Sequence, residues 1–311
     1  MPRRSGDAQG AQARGAAGVA RALAAQVKPT FMLPAVATSV FGALLAPDAD
    51  PVTAALHAAG VGAALYVAHV VDEYVDTHRR GEEPPTLPRR VLASTAAAGT
   101  VLVVAAAAAL WVRADPVATA SLAALWALAV LHAPVLDRNT VAVTVDYPVG
   151  IAAALVGGFA AQTGAVSAAV LAVAAVFAVL LSGEKVAIDR LDAAFDRTVD
   201  KRTVPVVVGD RRAAQVAAGV LALSGGLVAG FAAVGVLPRV AAGAAVFPLA
   251  AAAVTVVASS RRAVQAAMAL TYPFAAALFV VVCTATQCHV APLVEAVLAG
   301  VGDAAVLAGA G

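Results

Sequence analysis

Two short segments of this chain gather five aspartates at the ends of very apolar stretches. Asp72 and Asp76 lie in AHVVDEYVDTHRRG, and Asp189, Asp192 and Asp196 lie in EKVAIDRLDAAFDRTVDKRTVPV. On a helix, residues four apart share a face, as do residues spaced i, i+3, i+7, so each set presents its carboxylates in one direction. Carboxylates are unfavourable near a bilayer and mark function when they occur there. Acceptor-only oxygens in this grouping suit Mg²⁺, a hard cation that shares its ligands with substrate phosphates. The chemistry implied is the handling of a diphosphate at a membrane.

Cations near these segments extend that reading. Lys185, Arg138, Lys201 and Arg202 are placed to make ion pairs with phosphate, arginine through its bidentate fork. Lys185 also stands four residues before Asp189 and reads first as its salt-bridge partner, while Lys201 and Arg202 read equally as topology anchors. His69, three residues before Asp72, shares its face and either binds phosphate or satisfies a carboxylate. Asp146 falls inside an apolar run, where it either orients a second substrate or pairs with Arg138. Tyr66, Tyr74, Tyr147, Phe159 and Tyr272 are candidate faces for a cation.

The elements that position these residues are membrane helices. Of 311 residues, 61% are hydrophobic and 13% charged, and the mean hydropathy is +0.87; soluble domains are about half apolar and about a quarter charged. Nine apolar runs of roughly the length needed to cross hydrocarbon are expected at about 27–46, 52–76, 91–112, 116–136, 140–161, 165–190, 213–236, 240–258 and 263–285. The fold class expected is all-α, a polytopic bundle of about nine transmembrane helices. Residues 1–26 read as a basic disordered tail, 27–289 as the membrane domain, and 290–311 as an apolar tail or extra helix.

Charge then orients the bundle. With these spans, 19 of the 21 basic residues fall on the side that carries the amino terminus and both acidic segments, leaving only Arg113 and Arg239 opposite. The positive-inside rule places that side in the cytoplasm of a multi-pass cell-membrane protein. A net charge of +2 calls for no nucleic-acid partner, and no GxxxxGK[ST] loop supports nucleotide hydrolysis. Two cysteines, Cys283 and Cys288, are too few for a disulfide framework, and with His289 they hint at a metal site.

The second acidic segment resembles a known motif. D-x-x-D-x-x-x-D followed by KRTVPVVVG (Asp189 to Gly209) is similar to the second aspartate motif of UbiA-type intramembrane prenyltransferases. The first motif of that family reads N-D-x-x-D-x-x-x-D; here the matching positions are Ala68, His69, Asp72 and Asp76, so the opening Asn-Asp is replaced. The resemblance implies a UbiA-like fold. It further implies that Asp72, Asp76, Asp189, Asp192 and Asp196 hold Mg²⁺ against an isoprenyl diphosphate of the farnesyl or geranylgeranyl class. Ionisation to an allylic cation and transfer to a lipophilic acceptor, within an apolar chamber open to membrane lipid, would follow. A terpene cyclase of the same fold is the nearest alternative, and an ion-coupled transporter a remoter one.

Overall fold

Each long apolar run becomes one helix, and polar or proline punctuation starts and stops it. The computed structural model describes residues 15–82, 84–113, 116–199, 201–291 and 295, so the expected tail before residue 15 and most of 290–311 lie outside the described residues. Eleven helices are described: α1 (Gly15–Ala24), α2 (Pro29–Leu44), α3 (Pro51–Val75), α4 (Arg89–Arg113), α5 (Pro116–Leu131), α6 (Thr140–Thr163), α7 (Ala168–Asp196), α8 (Val204–Val208), α9 (Asp210–Ala233), α10 (Val246–Val257) and α11 (Ser260–Thr286). Among the described residues there is no strand. Within the segment expected to be a disordered tail, residues 15–24 form α1, which meets α2 at a 57° bend.

Caps set the boundaries. Asp50 accepts hydrogen bonds from the Val52 and Thr53 amides ahead of Pro51, fixing the start of α3. Asn139 does the same for α6 through Val141 and Ala142, and Ser167 for α7 through Val170. The run expected over 116–136 is helical only to Leu131, since Pro134 disfavours helix at the residue before it.

Seven of these helices, taking α10 with the 3₁₀ turn Arg239–Ala245 that leads into it, are long and apolar enough to cross a membrane. The bent α1–α2 pair gives an eighth candidate, and α5 is a shorter apolar helix of 16 residues. Large apolar side chains such as Val101, Leu102 and Val112 on α4 are more than 60% exposed, as a lipid-facing surface requires. The protein is therefore a multi-pass membrane protein.

The bundle packs around two cores. One gathers α7, α9, α10 and α11 about Phe177, Leu221 and Phe274; the other gathers α3, α4, α5 and α6 about Val61, Leu122 and Ile151. Between them, α2 and α6 cross at backbone contact. A Cβ at Gly158 would lie 2.0 Å from the Ser39 carbonyl oxygen, and one at Gly42 would lie 2.0 Å from that of Leu155. Small residues drive helix association in lipid because they admit this approach. Beside the crossing, Ser39 Oγ is 2.7 Å from His57 Nδ1, and His57 Nε2 is 3.1 Å from Ser121 Oγ, so one fully buried imidazole ties α2, α3 and α5 together.

The two cysteines form a disulfide, Cys283–Cys288, which replaces the metal site hinted at by their spacing. The amide of the adjoining His289 donates to the Ala46 carbonyl at 2.7 Å, fastening the end of α11 to the end of α2.

Gly158→Ala should destabilise the bundle by about 1–3 kcal/mol, the usual range for overpacking. Gly219→Ala on α9, where an added Cβ meets nothing within 4 Å, is the control. Thermal unfolding in detergent should lower the midpoint of the first variant and leave that of the second unchanged or raised.

Candidate active site

Both acidic segments open onto one cavity of about 490 Å³. Asp72 from α3 and Asp189, Asp192 and Asp196 from α7 stand in its wall, with Lys28, Lys185 and Lys201 between them. Deeper in, the wall turns apolar: Ala35, Ala64, Leu125, Gly150, Ile151 and Leu181. The result is a polar mouth above a greasy chamber.

The α7 contribution follows from its periodicity. Leu181, Glu184, Lys185, Ile188, Asp189, Asp192 and Asp196 follow the i, i+3, i+4 rhythm of one helix face and form one stripe along the cavity. Past the helix, Thr203 Oγ1 donates to Asp196 Oδ2 at 2.9 Å, and the Lys201 amide donates to the Asp196 carbonyl at 3.0 Å. Pro205 then starts α8, and Gly209, at φ 83°, breaks the chain into α9. The segment KRTVPVVVG is thus a folded strap held to the buried Asp196.

Asp76 does not follow Asp72. After Val75 the helix widens into a π turn, Asp76–Arg80, that ends at Gly81 in the left-handed region. The Asp76 amide still bonds the Asp72 carbonyl as in an α-helix, yet Asp76 is not among the residues lining the cavity. Instead its Oδ2 lies 3.6 Å from Lys201 Nζ. π turns are frequent at functional sites. Lys201 also lies 3.6 Å from Glu82. Burial works against its charge, yet Asp76 and Glu82 more than compensate, lifting its pKa above the ordinary lysine value.

The remaining expected residues divide. Lys185 pairs with Asp189, and both line the cavity. His69 lines it too, but its Nδ1 donates to the Gln26 carbonyl at 3.0 Å rather than to a carboxylate. Asp146 lines it and accepts from His132 Nδ1 at 2.5 Å, not from Arg138. Arg138 faces a neighbouring cavity of about 600 Å³, whose wall shares Asp137 and Lys201 with the first. Arg202 is exposed and lines neither. Of the five aromatic candidates only Tyr147 reaches the chamber. Tyr66 bonds the Leu23 carbonyl, Tyr74 packs with Arg79, Phe159 belongs to the core and Tyr272 is 69% exposed.

Several residues were not anticipated as functional. Lys28, at the α1–α2 bend, lies 3.9 Å from Asp72. Arg80 grips Asp137 through both Nη atoms at 2.5 and 2.8 Å and donates to the Ala133 carbonyl, closing the α5–α6 turn over the mouth. Glu184, on α7 below the acidic stripe, is buried and accepts from Thr271 on α11. A charge inside an apolar run was the available signal for Glu184.

Among the described residues no three His, Cys, Asp or Glu side chains converge into a closed metal cage. Mg²⁺ does not need one, since it is bound by one or two carboxylates with water and substrate phosphate. The buried Asp189 Oδ2, without a hydrogen-bond partner at the cavity wall, is the kind of oxygen such an ion would take.

The UbiA prenyltransferase family model matches residues 33–281. The chain belongs to the UbiA prenyltransferase family. No curated protein gives a significant match, whereas solved structures share the fold. A digeranylgeranylglyceryl phosphate synthase superposes with a TM-score of 0.68 at 12% identity, covering 85% of this chain and 98% of that one. A UbiA homologue from Archaeoglobus fulgidus bound to GPP and Mg²⁺ gives 0.65 at 15% identity, over 85% and 99%. One from Aeropyrum pernix K1 gives 0.61 at 18%, over 82% and 98%. The nine-span expectation is thus right in class and approximate in number.

Arg80→Met leaves Asp137, which is 5% exposed, without its partner. Stranding one member of a buried pair costs about 3–5 kcal/mol. The thermal midpoint should fall accordingly, and Arg80→Lys, which keeps the charge but not the fork, should recover part of the loss.

Proposed function

We propose that this cavity binds an isoprenyl diphosphate of the farnesyl or geranylgeranyl class with Mg²⁺, ionises it, and passes the prenyl group to a lipophilic acceptor. The observation that carries the reading is the shared cavity: carboxylates from two distant segments meet at the mouth of an apolar chamber. Asp72, Asp189, Asp192 and Asp196 would hold Mg²⁺, which when bound neutralises charge on a departing diphosphate. Lys185 and Lys201 would bind phosphate oxygens directly. Asp76 would act through Lys201, keeping its ammonium at the mouth. The chamber below excludes water, which would otherwise capture an allylic cation.

The GPP- and Mg²⁺-bound Archaeoglobus homologue supports a prenyl diphosphate donor and the metal. A transporter fits less well, because coupling-ion sites usually lie near the bilayer midplane on broken helices, whereas these carboxylates stand at helix ends. We place the mouth in the cytoplasm. The disulfide at the opposite end agrees, since such bonds persist in oxidising compartments.

Purified protein given farnesyl diphosphate should release diphosphate only with Mg²⁺, losing the activity in EDTA and regaining it when Mg²⁺ is restored. Asp72→Asn and Asp192→Asn should each slow release by about 100-fold or more, as loss of transition-state charge stabilisation does. Full activity in either variant removes that residue from the site. Cyclic hydrocarbon or cyclic terpene alcohol formed without any acceptor would point to cyclisation instead.

A further inference from the structure

One buried carboxylate is left without a role by the diphosphate site. Glu184 is 7% exposed and lines the chamber. It stands five residues before Asp189 on the same helix, about 7–8 Å deeper at 1.5 Å per residue. With its diphosphate held at the mouth, a prenyl donor would run past this carboxylate into the chamber. Its Oε1 accepts from the neutral Thr271 hydroxyl, and among the described residues no cation pairs with it. The cavity's ammonium groups are all engaged at the mouth: Lys28 with Asp72, Lys185 with Asp189 and Lys201 with Asp76. The other carboxylate at comparable depth, Asp146, is taken by His132.

We propose that Glu184 is the catalytic base that ends the reaction, and that the acceptor it serves is an uncharged carbon–carbon double bond. The inference rests on the prenyl-transfer reading above. The donor C1–O bond breaks and its electron pair leaves with the diphosphate. The acceptor π pair then forms the new C–C bond, leaving a carbocation on the acceptor. The adjacent C–H bond breaks, its electron pair restores a double bond, and the proton passes to the Glu184 carboxylate. An anionic acceptor would have to shed its hydration in this chamber, where among the described residues no unpaired cation stands at Glu184's depth to receive it. A neutral polyene meets no such barrier.

The test uses the full-length protein in nanodiscs with farnesyl diphosphate and Mg²⁺, offered squalene as a neutral polyene, 4-hydroxybenzoate or an anionic glycerophospholipid. Diphosphate release and organic products are measured separately. Wild type should form a hydrocarbon product with squalene and none with the anions. Glu184→Gln should keep diphosphate release within about 10-fold, lower hydrocarbon product by about 100-fold or more, and divert the cation to prenyl alcohol. Glu184→Asp should restore part of the hydrocarbon yield, and Thr271→Val, which leaves the carboxylate in place, should retain most of it. An unchanged thermal midpoint in Glu184→Gln separates lost chemistry from lost folding. Should that variant unfold, hydrocarbon partition in Glu184→Asp and Thr271→Val decides.

Undiminished hydrocarbon in Glu184→Gln, preferential prenylation of either anion, or wild type yielding only alcohol with all three acceptors would overturn the inference. Absence of diphosphate release by wild type would sink the prenyl-transfer reading itself, and this inference with it.

Discussion

Negative charge gathered at the end of an apolar bundle has to be balanced, and this protein balances it with its own side chains. Lys28 stands by Asp72, Lys185 by Asp189, Lys201 by Asp76 and Glu82, and Arg80 by Asp137. These pairs are drawn from segments far apart in sequence: the α1–α2 bend, the α3 end, the α5–α6 turn and the strap after α7. The electrostatics of the mouth therefore also tie its rim together.

Beneath the mouth, shape is decided by small side chains. The α2–α6 crossing, with Gly42 and Gly158 against opposing backbone, brings two walls of the chamber to a fixed separation. Ala35, Ala64 and Gly150 leave room where larger residues would fill it. An Ala/Val-rich composition thus does two jobs, allowing close helix contact on one side and leaving a void on the other.

Much of this was legible in the sequence, because its signals are local. The α7 stripe is plain periodicity, and the strap that follows has a specific pattern, so Asp189, Asp192 and Asp196 were readable together. The pairing of the two segments on one face followed from counting spans. What was not legible depended on backbone detail or distant partners. The π turn that begins at Asp76 has no clear sequence mark. Asp146 met His132 rather than Arg138, which faces the neighbouring cavity, and Arg202 is exposed on the strap that folds on Asp196. Glu184 carried a readable signal that the louder aspartate pattern obscured. The cysteines formed a covalent link whose partnership only the return of the chain after α11 reveals.

The first described helix is more than a leader into the membrane. The Leu23 carbonyl receives Tyr66, the Gln26 carbonyl receives His69, and Lys28 reaches Asp72, all within one turn of where α1 bends into α2. Truncation through residue 28 would therefore strip three consecutive tiers of α3 of their partners at one stroke. In practical terms, the amino-terminal segment forms part of the doorframe.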